Sequence, residues 1–167
     1  MKDIIHTVPN AVAGTGSTFN NTGDQKGSGM ELELSWDPSR TLRISGNYSY
    51  QHSIDEATDQ DAGYAPRHHV YARADWRFGG NWLISPQANW VADRKRAAGD
   101  KRPPIADYST LDLTLRREKM AGDWDVSATI RNLFNRDVRE PSLAPGNIPF
   151  DLPMPRRTFY VQVQYKL

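Results

Sequence analysis

Five basic residues lie close together in one polar stretch of the chain, and they are the strongest candidates for binding chemistry. They are Arg94, Lys95, Arg96, Lys101 and Arg102. A local excess of cations attracts anions, so this stretch predicts contact with an anionic ligand or with phosphate groups. The alternative is an ordinary solvated loop whose charges face water.

Two further clusters suggest metal sites but lack the right spacing. His68 and His69 are adjacent, and His52 lies across the same predicted loop. Adjacent residues on a strand point to opposite faces, so these histidines are poorly placed to chelate and we predict no metal ligands. A nearby acidic stretch lacks the EF-hand spacing and is interpreted as solvated, with a calcium role as the alternative. It contains Asp55, Glu56, Asp59 and Asp61.

Composition narrows the function classes further. No nucleophile, base and orienting group are arranged for catalysis, so we predict neither an enzyme nor a cofactor. A formal net charge of +1 over 167 residues argues against nucleic acid as a partner. No stretch approaches the about 20 mostly apolar residues that a transmembrane helix needs. The mean hydropathy of -0.71 is still compatible with a membrane β-barrel, because half of each strand faces water there.

Strict alternation of apolar and polar residues defines the elements that would position these clusters. The final stretch, from Arg157 to Leu167, places Phe159, Val161, Val163, Tyr165 and Leu167 on one face. This pattern predicts an amphipathic β-strand, apolar toward lipid and polar toward a lumen. Similar alternation gives about eight strand candidates in all. The others run near Asp3 to Val8, Lys26 to Trp36, Leu42 to His52, Arg67 to Phe78, Asn81 to Ala92, Tyr108 to Arg117 and Asp123 to Leu133.

The connections between these strands alternate in length. Short connections at 37–40, 78–81 and 118–123 are rich in turn residues. Long connections at 9–25, 53–66, 93–107 and 136–155 separate them, and the first is predicted to be mobile because it is rich in Gly, Thr and Asn. Pro86 interrupts one strand and weakens its predicted pairing. The pattern predicts an all-β, antiparallel up-and-down transmembrane β-barrel segment, with short periplasmic turns and long extracellular loops.

Several stretches resemble the TonB-dependent outer-membrane receptors. Ile130 to Val138 resembles the penultimate strand of that family, with its Asn-Leu-Phe sequence. Arg139 to Pro141 and Ile148 to Phe159 are similar to its closing loop and last strand. Gly27 to Glu33 is similar to its recurrent G-x-G-x-E-x-E strand, and Tyr108 to Leu113 to its Y-x-x-L-D-L strand. Together these stretches cover nearly the whole chain in the family's order.

The resemblance implies a receptor in the bacterial outer membrane that imports a scarce small molecule, such as a ferric siderophore, with energy from the TonB complex. Family barrels have about twenty-two strands around a plug domain, so residues 1–167 are expected to be the C-terminal part of such a barrel, without plug or N-terminal strands. In that setting the basic loop would meet ligand or lipopolysaccharide. Two alternatives remain, a self-contained eight-stranded outer-membrane barrel with a structural or adhesive role, and a soluble β-barrel binder.

Overall fold

The computed structural model describes residues 4–10, 14, 16–63, 65–96, 100–142 and 150–166. Twelve strands lie within these ranges. They are β1 (Ile4–Pro9), β2 (Ser17–Gly23), β3 (Gln25–Ser39), β4 (Leu42–Asp55), β5 (Gln60–Asp61), β6 (Pro66–Phe78), β7 (Trp82–Arg94), β8 (Tyr108–Arg117), β9 (Trp124–Arg131), β10 (Arg139–Glu140), β11 (Leu152–Pro153) and β12 (Thr158–Tyr165). No helix of the described ranges has the length and apolar character needed to cross a membrane.

One antiparallel sheet organises the chain. Its strands follow the order β12-β9-β8-β7-β6-β4-β3, and β5 pairs with the end of β4. Each strand of this path except the two at its edges lies between two neighbours, as an up-and-down meander requires. The predicted fold class is confirmed. Within the described residues β3 and β12 form opposite edges, and no pairing joins them into a small closed barrel.

The register aligns the apolar residues of every strand in the sheet on one face. Val163 lies opposite Val126, and Val161 opposite Ala128. On this face Val161 has 76% of its surface exposed, because no other part of the described chain packs against it. Buried hydrophobic residues are few and lie mainly at the ends of strands or in the long connections; they are Val91, Ala92, Ile105 and Val138. The sheet therefore presents its apolar face outward instead of enclosing it in a core.

Aromatic residues border this apolar face at both ends. Trp82 and Trp90 lie on the same face of β7, eight residues apart, which is roughly 26 Å along a strand. Trp124 and Tyr165 pack at a tilt of 45° at the short-turn end, with ring centroids 4.9 Å apart. Strands of membrane barrels tilt by about 35–45°, so the spacing of Trp82 and Trp90 corresponds to roughly 20 Å along the membrane normal. An apolar band of this order between two aromatic rows is the pattern of a lipid-facing barrel wall.

The turns at one end are tight, as the sequence predicts. Gly80 and Asn81 take φ values of +72° and +62° between β6 and β7, where a left-handed backbone closes the turn. Lys119 and Gly122 do the same between β8 and β9, with φ values of +51° and +75°. The connections at the other end are much longer.

The structure differs from the sequence prediction at its beginning. The first predicted strand corresponds to β1, but β1 pairs with β2 in a separate two-stranded sheet. The connection predicted to be mobile contains β2, because Ser, Thr and Asn form a strand when a partner supplies the hydrogen bonds. Pro86 leaves its strand continuous, and the ladder to β8 stays in register opposite Leu113. The ladder to β6 skips Ser85 and Pro86, so the predicted weakening of the pairing is found on that side. Asp3 and Leu167, the outer limits of the predicted strands, lie outside the described residues.

Candidate functional site

Three arginines of the basic stretch hold together the two long connections that flank β8 and β9. Arg94, the last residue of β7, has 2% of its side chain exposed. Its guanidinium donates to the Arg139 carbonyl oxygen over 2.8 Å, lies 3.2 Å from the Glu140 carboxylate and stacks 4.9 Å above the Tyr108 ring. Arg94 thus joins the end of β7 to the connection between β9 and β12.

Arg96 continues this contact between the connections. Both terminal nitrogens of its guanidinium donate to the Asp151 carboxylate, over 2.8 and 2.6 Å, and its Nε donates to the Pro103 carbonyl oxygen over 2.8 Å. Bidentate pairs of this kind are among the strongest charge-assisted contacts. The side chains of Arg96 and Asp151 are 7% and 18% exposed. The hydrogen bonds from Arg96 hold the pKa of the Asp151 carboxyl below its usual range.

Arg102 makes the third contact between the same two connections. Its Nη1 donates to the Ser142 hydroxyl over 2.5 Å and its Nη2 to the Ser142 carbonyl oxygen over 2.8 Å. The same guanidinium pairs with Asp100 at 2.6 Å. The hydrogen bonds from Arg102 to Asp100 lower the pKa of the Asp100 carboxyl to about 2. Arg94, Arg96 and Arg102 with these partners are hereafter called the arginine clamp.

The two lysines of the basic stretch are placed differently. Lys95 has about half of its side chain exposed and pairs with Asp93 at 2.5 Å. Lys101 is exposed, and no ion pair involves it within the described residues. A cavity of about 520 Å³ lies among these groups, with both acidic and basic walls. Its lining includes Asp61, Asp93, Lys95, Arg96 and Asp107. The five predicted basic residues therefore lie in one region. Arg94, Arg96 and Arg102 form the clamp, and Lys95 and Lys101 take no part in it.

The histidines and acidic residues form separate local contacts. His69 Nε2 lies 2.6 Å from Asn89 Oδ1 on the polar face, and His68 Nδ1 lies 2.9 Å from the Tyr48 hydroxyl on the apolar face. The two histidines thus point to opposite faces. Asp55 accepts hydrogen bonds from the backbone of its own turn, and Asp61 pairs with Arg67 at 2.8 Å. In the described part of the chain, no three His, Asp or Glu side chains are placed to hold a metal ion.

Sequence reasoning missed a second cavity, of about 280 Å³, on the polar face below the long connections. The guanidinium of Arg131 lies in its wall, 5.1 Å from the Tyr160 ring centroid. Val138 and Met154 contribute apolar groups, and Asp112 adds a carboxylate that accepts from the Asn132 backbone. Arg131 forms no ion pair with any described residue. The alternation of β9 predicted that Arg131 lies in the polar row. It did not predict that the connection between β9 and β12 would cover this residue.

Toward the short turns the polar face carries a network of ion pairs. Arg73 pairs with Asp75 at 2.8 Å, and Ser85 donates to the same carboxylate. Arg116 and Lys166 both contact Asp125, at 2.6 and 3.2 Å. Charged groups so closely paired on the polar face, opposite the apolar band, are the inner wall expected of a large barrel rather than of a lipid-facing surface.

Comparison with known proteins assigns the fold to a family. Residues 1–133 match the family model described as TonB dependent receptor-like, beta-barrel. This chain belongs to that family. Its members are transport receptors of the bacterial outer membrane, which confirms the predicted family and location. The apolar face of the sheet is accordingly the face that meets lipid.

Individual relatives agree with this assignment. The metal-pseudopaline receptor CntO of Pseudomonas aeruginosa is 28% identical over 141 residues, which are 74% of this chain and 19% of CntO. The copper transporter OprC superposes with a TM-score of 0.75 at 18% identity, covering 98% of this chain and 28% of OprC. The ferric enterobactin receptor PfeA of P. aeruginosa gives 0.75 at 20% identity, covering 97% and 27%. At such identities the superpositions show the fold alone.

Proposed function

We propose that this chain is the C-terminal part of the barrel of a receptor that takes up a metal chelate across the outer membrane. The observation that carries the proposal is the family match over residues 1–133, joined to the continuous lipid-type face of the sheet. The relatives are named as receptors or transporters for metal–pseudopaline, copper and ferric enterobactin. Their common cargo is a metal, free or chelated. We propose no catalytic role for any residue.

The edges of the sheet support the view that further strands complete the barrel. The described residues leave the outer edges of β3 and β12 unpaired. In lipid each unsatisfied backbone group costs several kcal/mol, so both edges need neighbouring strands. The chain also spans only 19% of the length of the curated relatives that it matches. A plug domain inside the completed barrel would meet the ion-pair network of the polar face, and the TonB complex would act through that plug.

Ligand contacts are proposed for the residues whose charge the clamp does not use. Lys101 is exposed, and Arg131 lies in the wall of the second cavity without an ion pair among the described residues. Because the clamp arginines already have carboxylate or carbonyl partners, they hold the loops in place and would contribute little direct binding. The exposed lysines would also lie near lipopolysaccharide phosphates at the outer surface. An anionic chelate is the class of ligand that these cations favour.

The test compares cells that express the complete receptor, of which we propose this chain to be a part, with cells that lack it. Both are given radiolabelled ferric enterobactin or a radiolabelled metal–pseudopaline complex. We expect surface binding wherever the protein is present and accumulation only when TonB is present as well. Accumulation that persists without TonB, or no binding of either chelate, would contradict the proposal.

Variants then locate the binding site. A charge-assisted hydrogen bond contributes about 1.5 to 3 kcal/mol, so Arg131→Gln is expected to weaken chelate binding at least about tenfold. Arg136→Gln is the matched control, because Arg136 is exposed and does not line the second cavity. Equal weakening by both variants would indicate a general charge effect instead of a site.

A further inference from the structure

One arginine lies on the face that meets lipid. Arg117, at the end of β8, pairs in register with Trp82 of β7 and with Val126 of β9. Both neighbours belong to the apolar row, and Leu115 precedes Arg117 in the same row. Both flanking strands are present in this chain. The surroundings of Arg117 are therefore complete without any further strand of the barrel.

The guanidinium of Arg117 lacks a polar partner among the described residues. Its Nε is buried and has no hydrogen-bond partner there, and no described carboxylate pairs with it. Glu118, the next residue, turns to the other face and pairs with Arg77 at 2.8 Å. The contact that Arg117 does make is with the Trp82 ring, whose centroid lies 5.2 Å from its Cζ. A charged group without a counter-ion at an apolar surface is costly, so a partner from outside the protein is expected.

The position of Arg117 fits the head-group region of the bilayer. It lies at the short-turn end of the apolar band, in the aromatic row with Trp82 and Trp124. Long basic side chains at this depth extend toward the interface, where lipid phosphates are found. Gly80 leaves space at this point, because a Cβ there would come within 3.3 Å of Arg117 Nη1. The guanidinium thus occupies a fixed place between a tryptophan ring and a glycine turn.

We propose that Arg117 and Trp82 form a binding site for the phosphodiester group of a phospholipid in the periplasmic leaflet. A guanidinium presents paired N–H donors that match two phosphate oxygens, which a compact ammonium does not. The indole beside it supplies a surface for the glycerol backbone and the first acyl carbons. This inference rests on the membrane location of the family and not on the proposed uptake of a chelate.

Native mass spectrometry of the complete receptor barrel that contains this chain, released from detergent micelles, tests the site. Phosphatidylglycerol is titrated in, and retained lipid is counted for the wild type and for Arg117→Gln. We expect the variant to lose one tightly retained lipid and to bind it at least tenfold more weakly. Arg117→Lys is expected to recover only part of the loss, because it keeps the charge but not the planar fork.

A matched variant distinguishes a lipid site at Arg117 from a general effect of positive charge. Arg40→Gln removes an exposed charge at the same end of the barrel, beside the polar cavity and away from the apolar face, and is expected to keep the lipid. Heat-dependent gel mobility verifies that each variant is folded. The proposal is overturned if Arg117→Gln retains the lipid, if Arg40→Gln loses it equally, or if inorganic phosphate alone displaces it.

Discussion

Breaking the arginine clamp at Arg96 is expected to release the long connections while leaving the sheet intact. Arg96→Ala removes two short hydrogen bonds to Asp151 and one to the Pro103 carbonyl oxygen. Loss of one partner from a fully buried ion pair costs about 3 to 5 kcal/mol. Because Asp151 keeps 18% of its side chain exposed, water recovers part of this cost and we expect about 2 kcal/mol. That corresponds to roughly 30-fold more frequent local opening.

Hydrogen exchange in detergent micelles measures this opening directly. Faster exchange is expected in peptides that cover 100–107 and 138–142, with β8 and β9 unchanged. Arg43→Ala is the matched control, because its pair with Asp37 is exposed at 61% and 53% and contributes at most about 1 kcal/mol. The exchanged pair Arg96→Asp with Asp151→Arg should restore part of the protection. Unchanged exchange in Arg96→Ala would refute the view that the clamp orders these connections.

Three further predictions test the loss of clamp stability at low pH, the close packing of neighbouring strands and which face of the sheet meets lipid. The pKa of Asp100 is about 2 in the folded protein and the ordinary value is 3.8, so its contribution to stability is complete above about pH 4 and is lost as the pH falls through about 2. Acid titration followed by near-ultraviolet circular dichroism should show a smaller acid step in Asp100→Asn than in the wild type. Part of the step stays in the variant, because the pKa of Asp151 is lowered as well. Gly46→Val should lower the free energy of unfolding by about 1 to 3 kcal/mol, because a Cβ there would lie 2.6 Å from the Tyr71 carbonyl oxygen. Denaturant titration in micelles measures this loss. Gly79→Val should change the free energy of unfolding much less, because nothing lies within 4 Å of a Cβ at that position. Leu113→Arg places a charge on the lipid face opposite Pro86, midway between the levels of Trp82 and Trp90, and should destabilise the membrane-inserted protein by about 2 to 4 kcal/mol. Gln162→Arg on the polar face should be tolerated, and equal effects would mean that the two faces are wrongly assigned.

Local sequence was sufficient to place most of the sheet. The strands β6 (Pro66–Phe78) and β8 (Tyr108–Arg117) begin and end within one residue of their predicted limits. Their alternation is strict, and a period of two fixes which side chains share a face whatever the rest of the fold does. β1 was predicted, but its partner β2 (Ser17–Gly23) was missed because the Ser, Asn and Gly residues of β2 have weak strand propensity.

The candidate site was predictable only as a location. The sequence indicated a cluster of cations between 94 and 102, but it did not say which of them would be free. Arg96 and Arg102 find their partners, Asp151 and Ser142, 55 and 40 residues away. Contacts over such separations depend on how two connections fold above the sheet, and no periodicity records that. The ligand role of the five basic residues stays a prediction.

The sequence by itself determined that this chain is an antiparallel sheet with one lipid face and one polar face, and it indicated the receptor family. These properties follow from alternation along single strands and from short local patterns. The tertiary structure alone decided that Arg94 is buried beneath the connection between β9 and β12, that Arg131 borders a cavity and that Arg117 faces lipid without a counter-ion among the described residues. The physical reason is that the environment of a charge is defined by its neighbours, and these neighbours come from other strands and connections.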